Sequence, residues 1–117
     1  MAEFASGQIV IADWRDALPK EANKLRPSVV IEDADLFSPV YPNVILVPLT
    51  EDAGMVLPEL SVQIDPTSEN GCTKTCYAVS PLVAGTSKLL VRPTRSRITP
   101  EQLARIRRQV ATAIGLE

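Results

Sequence analysis

The sequence predicts a mainly β chain that curls into a small barrel or bent sheet and is closed by one C-terminal helix. Two observations carry this. Five or six short apolar runs follow one another at close spacing with turn residues, and no helical pattern, between them. The final stretch then switches to helical periodicity with both of its ends marked. The 117 residues, 45% hydrophobic and 22% charged, fit one soluble globular domain over 1–117. No apolar run approaches the ~18 residues of a membrane span, and Met1-Ala2-Glu3-Phe4 lacks a signal-peptide layout, so the expected compartment is the cytoplasm.

The first strand is GQIVIAD (7–13), an apolar run of branched residues bounded by Gly and Asp. WRDALPKEANKL (14–25) shows neither periodicity and reads as a surface loop, a place where function often resides. PSVVIE (27–32) is the second strand and NVILVPLT (43–50) the third. Pro48 has no N–H for a ladder, so it belongs at an edge, a bulge or a strand end, and Thr50 should lie where this strand leaves the sheet. An acidic loop (51–59) precedes LSVQID (60–65), which alternates like a half-buried strand, and PTSENG (66–71) is a turn. CYAVS (76–80) and KLLVR (88–92) complete the strand candidates.

ITPEQLARIRRQVATAIGL is different in kind. Thr99 serves as N-cap with Gln102 as its capping-box partner, Pro100 fits the first helical position, and Gly115 fits the stop. Leu103, Ile106, Val110, Ala113 and Ile114 form one apolar stripe, which leaves Arg105, Arg107 and Arg108 facing away from the sheet.

The net charge of −2 conceals an asymmetry: residues 1–87 hold 5 basic and 12 acidic side chains, residues 88–117 hold 7 and 2. The basic part suits a polyanion or, equally, a solvated helix face. Histidine is absent, which removes the usual general base near neutral pH and any imidazole metal site. Cys72 and Cys76 lack the further ligands a zinc site needs. They read as structural thiols, with redox pairing left open because the sequence does not fix the distance between the sulfurs. The acidic clusters Glu32-Asp33/Asp35 and Glu51-Asp52 read as solvated turns. Trp14 offers either a stacking face for a base or a core plug.

The segment KEANKLRP (20–27) running into VVI stands out. An arginine held by a proline at the mouth of a buried strand, with Glu21 in the loop before it, is placed to meet an anion at the sheet rim or to form a structural Glu21–Arg26 pair.

On GQIVIADW, E-x-x-x-x-RPSVVI from Glu21, NVILVPLT and the closing helix ending in IGL, the chain resembles the MazF/PemK-like toxins of bacterial type II toxin-antitoxin systems. The resemblance implies an SH3-like small β-barrel with a C-terminal helix, usually a homodimer, that cuts single-stranded RNA to a 2',3'-cyclic phosphate and a 5'-hydroxyl with no metal or other cofactor. It also implies a cognate antitoxin protein and no membrane partner. Carried over, the catalytic residues are Arg26 and Thr50, with Glu21 holding Arg26 or accepting the proton. Lys24, Trp14, Thr86, Ser87, Lys88, Arg92 and Arg95 are the candidates for RNA contact.

One departure matters. The family's Gln-x-Arg-Thr run aligns with Leu82-Val83-Ala84-Gly85, so Ala84 stands where a second arginine is expected. Lys88, Arg92 or Arg95 supplies that charge, or the chain binds RNA weakly or cuts another sequence. The alternative functions are a protein-binding toxin with the same barrel, such as a DNA gyrase inhibitor of the CcdB type, and a silent interaction module.

Overall fold

Strand pairing among the described residues is antiparallel throughout, and every pair is built from the apolar runs described above or from a neighbour they recruit. The computed structural model describes residues 4–15 and 25–117. Most of the expected loop, with Glu21 and Lys24, lies outside the described residues. The elements are β1 (Gln8–Asp13), β2 (Leu25–Val30), β3 (Asn43–Thr50), β4 (Ser61–Ile64), β5 (Cys76–Val79), β6 (Ala84–Ser87), β7 (Val91–Arg97) and α1 (Pro100–Ala113). The strands order as β4-β5-β3-β2-β1-β7, with β6 also on β3. This is the expected small barrel with a terminal helix, in an open form. Its ends, β4 and β7, are tied where the Arg97 N–H donates to Glu69 O in the turn after β4 at 3.0 Å.

Both faces of the curled sheet are covered, which is why the strands read as continuous apolar runs. Ile9, Val29, Val47, Leu49, Val62, Ile64 and Ile106 belong to one buried cluster. Val10, Ala12, Trp14, Val30, Val44, Leu46 and Val91 belong to a second. Neighbours such as Ile9 and Val10, or Val29 and Val30, fall in different clusters, as the period-two alternation of a strand requires.

Two strands depart from expectation. β6, Ala-Gly-Thr-Ser, has no strand propensity of its own. It forms because the first half of β3 needs a partner, from Asn43 opposite Ser87 to Leu46 opposite Ala84. The KLLVR run is divided. Lys88–Leu90 makes a 3-10 turn capped by Ser87, with Leu89 95% exposed, and β7 begins only at Val91. Pro93 is tolerated within β7 because that strand is an edge. Pro48 lies where the partner on one side of β3 changes from β6 to β5. A residue without an N–H fits such a gap.

The helix behaves as its ends predict. Thr99 accepts from the Gln102 N–H and its own N–H reaches the Gln102 side chain, completing the capping box. At the other end Gly115 takes φ +87°, and its N–H and that of Leu116 return to the carbonyls of Thr112 and Ala111, a Schellman closure. Ile106 is fully buried, with Leu103 and Val110 packed beside it. Arg107 corrects the expectation that all three helix arginines face away. Its Nε donates to Ile31 O at 2.8 Å and its Nη2 to Glu32 O at 2.9 Å, docking the helix on carbonyls just past β2. Glu32 is likewise not a solvated turn residue: at 7% exposure, its Oε1 accepts the Ile45 N–H. Among the described residues no helix is long and apolar enough to cross a membrane.

Candidate active-site groove

β2 and β3 pair as Ser28 opposite Pro48, Val29 opposite Val47 and Val30 opposite Leu46. Two residues beyond the Ser28–Pro48 rung the same register would place Arg26 opposite Thr50, but there the strands have parted. Arg26 stays with β1, opposite Ala12, and Thr50 turns to β5, opposite Tyr77. The gap opens into a groove of about 700 Å³ lined by both residues.

The groove's other walls come from segments remote in sequence. Ile9 and Ile11 floor it from β1, and Glu51 and Asp52 follow Thr50 at its rim. Cys72 and Lys74 line it from the segment between β4 and β5, Cys76 from the start of β5, and Thr94 and Ser96 from β7. The last two reach it through a bulge. Between Gln8 opposite Arg97 and Val10 opposite Pro93, β7 carries more residues than β1, and the excess turns Thr94 and Ser96 inward. The Thr94 hydroxyl donates to Ile9 O and accepts the Ser96 N–H, which fixes the bulge.

Thr50 is 4% exposed, and its hydroxyl is poised to donate. Its oxygen accepts the Asp52 N–H at 3.0 Å, while its proton rests on the Met55 thioether at 3.8 Å, a weak acceptor. A phosphate oxygen would displace that sulfur readily.

The segment carrying the cysteines is built on Asn70, which is 4% exposed. Its Oδ1 accepts the N–H groups of Thr67 and Cys72, and its Nδ2 donates to Asp65 O. Gly71 is required here, because φ is +66° and a Cβ would come within 2.7 Å of Ser96 Oγ. Asp65 accepts from Gln63 and Thr75, which hold its carboxyl below the ordinary range. Together these bonds set Cys72 Sγ 3.7 Å from Cys76 Sγ. Burial first, then the neighbouring Cys72 sulfur, pushes the Cys76 thiol up to about 12.

The candidates for RNA contact are scattered. Trp14 is a correction: its rings sit in the second core cluster at 9% exposure and its indole N–H donates to Ser28 Oγ at 2.9 Å, so no stacking face is presented. Thr86 and Ser87 lie opposite Val44 and Asn43, at the end of β3 remote from Thr50, about 20 Å away at ~3.3 Å per residue. Lys88 belongs to that end as well, its Nζ donating to Pro39 O and lying 6.0 Å from the centre of the Phe4 ring. Ala84 packs on the second cluster, so the second-arginine position is apolar in place as well as in sequence. Arg92 shares a cross-strand rung with Ile11 and Pro27, both groove residues, and is exposed beside them. Arg95 lines an adjoining groove of about 580 Å³, which shares Thr94 and Ser96 with the first. Lys74, Thr94 and Ser96 were not anticipated, since nothing local in sequence ties them to Arg26.

A curled antiparallel sheet closed by a helix thus brings an arginine and a buried hydroxyl to one groove. The family model of PemK-like, MazF-like toxins of type II toxin-antitoxin systems matches residues 5–114, and the chain belongs to that family. Solved structures with the same fold include MazF from Deinococcus radiodurans, with a TM-score of 0.77 and 15% identity over 98% of this chain and 99% of that one. An endoribonuclease from a mycobacterial species in complex with its cognate antitoxin gives 0.70 and 19% over 99% and 98%. The Mycobacterium tuberculosis toxin MazF-mt6 gives 0.72 and 18% over 94% and 98%. No curated protein matches the chain.

Proposed function

We propose that this toxin is a metal-independent endoribonuclease that binds single-stranded RNA in the groove between Arg26 and Thr50. The observation that carries the reading is that both residues line one groove, which opens where β2 and β3 part beyond the Ser28–Pro48 rung. The ribose 2'-hydroxyl attacks the adjacent phosphorus and the bond to the 5'-oxygen of the next nucleotide breaks, leaving a 2',3'-cyclic phosphate and a 5'-hydroxyl. Arg26 stabilises the negative charge that builds on the phosphoryl oxygens, and Thr50 donates to one of them. Glu21 accepts the proton of the attacking hydroxyl or holds Arg26. Lys74, Arg92 and Arg95 track the flanking phosphates.

The chain works as a homodimer in the cytoplasm, where mRNA is available, and a cognate antitoxin silences it by covering the groove. The neighbour solved as an endoribonuclease with its cognate antitoxin supports that partnership. The test is to incubate the purified chain with a long single-stranded RNA in EDTA, beside Arg26→Ala, and to map the ends. Discrete cuts leaving 5'-hydroxyl ends, lost in the variant, are expected. Intact RNA would overturn the reading in favour of a protein-targeting toxin.

A further inference from the structure

Cys72 and Cys76 take no part in the cleavage scheme, yet both line the groove beside Thr50. Their sulfurs are 3.7 Å apart and both are free thiols. Forming a disulfide, with its bond of about 2.05 Å, needs an approach of about 1.7 Å. The segment between them contains only Thr73, Lys74 and Thr75, and its start is tied down by Asn70, whose Oδ1 accepts the Cys72 N–H, and by the Gly71 N–H donating to Thr67 O at 3.2 Å. The pair is therefore held in proximity by the fold rather than met by chance.

The two thiols are also unequal. Cys76 lies on β5 opposite Ile64 and is 6% exposed, whereas Cys72 is half-buried and faces the groove. An oxidant entering the groove meets Cys72 first.

We propose that Cys72 and Cys76 form a redox couple in the wall of the groove, closed to a disulfide by a peroxide and reopened by a dithiol reductant. The Cys72 thiolate attacks one peroxide oxygen, the O–O bond breaks, and the other oxygen leaves as water after taking up a proton. Cys72 is then a sulfenic acid. The Cys76 sulfur attacks it, the S–O bond breaks, and the hydroxide leaves as a second water with the proton that Cys76 gives up. One peroxide is reduced to two waters and two thiols are oxidised to one disulfide.

Closing the couple draws the Cys72 side of the segment inward and shifts Thr73 and Lys74, which line the same groove. The regulatory consequence rests on the ribonuclease reading. RNA cleavage falls when the disulfide forms, by about tenfold or more for a wall displaced on the order of an ångström.

The experiment treats the purified chain, Cys72→Ser and Cys76→Ser with hydrogen peroxide. It reads intact mass and free thiols without reductant, then repeats both after dithiothreitol. The unmodified chain should lose two hydrogens and both thiols, and regain them. Recovery of sulfinic or sulfonic acid at Cys72 with the Cys76 thiol intact, or of disulfides between chains, would overturn the couple. RNA cleavage is then measured as the ratio of treated to untreated protein. A ratio near one in the unmodified chain, with the disulfide formed, would overturn the regulatory role. A reduced chain that cuts no RNA would refute the ribonuclease reading while the thiol and mass results still judge the couple.

Discussion

Trp14 is bonded to Ser28: the indole N–H donates to the hydroxyl at 2.9 Å, and that hydroxyl donates in turn to Arg26 O at 3.2 Å. The only tryptophan of the chain thus anchors the strand that presents the groove's arginine. Ser28→Ala leaves the buried indole without its acceptor and should destabilise the fold by about 1–3 kcal/mol. Denaturant melts followed by tryptophan fluorescence check this. An unchanged midpoint would remove the anchoring role.

Arg26→Ala should lower cleavage by about 100- to 1,000-fold, the usual cost of removing one donor aimed at a developing oxyanion. Single-turnover RNA cleavage measures it. Thr50→Val keeps the shape and removes the hydroxyl, so it should reduce kcat more than it raises KM. A loss confined to KM would make Thr50 a binding residue only.

The raised Cys76 thiol predicts how stability depends on alkali. Below pH 9.0, the ordinary value, the thiol is protonated in both folded and unfolded chains, and its contribution is fully present. Between there and about 12 the unfolded chain loses this proton while the folded one keeps it, so stability falls with rising pH. The slope from this one group is at most about 1.4 kcal/mol per pH unit. Guanidinium melts at pH 8 and pH 10, with Cys76→Ala alongside, isolate it. Equal slopes in both proteins would reject the assignment.

The helix arginines should separate. Arg107→Ala removes two bonds to the Ile31 and Glu32 carbonyls and should cost about 1–2 kcal/mol in a thermal or denaturant melt. Arg105→Ala and Arg108→Ala, both at exposed positions, should stay within about 0.5 kcal/mol. If the exposed pair serves RNA, neutralising it will flatten the salt dependence of RNA binding. No change there would assign that face to solvent or to a protein partner.

The helix and the first five strands were legible because each carries its own signal. Thr99, Pro100 and Gly115 mark helix ends through backbone groups that need caps, and the branched runs mark strands buried on both faces. β6 was not legible. Ala84–Ser87 has neither alternation nor propensity, and it becomes a strand only because β3 offers it an unpaired edge. Arg107 was misplaced for a related reason: periodicity assigned it to the outer face, and a long side chain reached back to carbonyls that no periodicity reveals.

The site divides in the same way. Arg26 and Thr50 were named as site residues through the family resemblance, while the residues alone marked only their places, at the mouth of one strand and the end of another, where Pro27 and Pro48 constrain the backbone locally. That the two face one groove, with Cys72 and Cys76 at 3.7 Å and Thr94 and Ser96 turned in by a bulge, depended on strand register. Register is a property of pairs of strands, fixed when both faces of the sheet are buried, and it brings together residues that nothing in their local sequence relates.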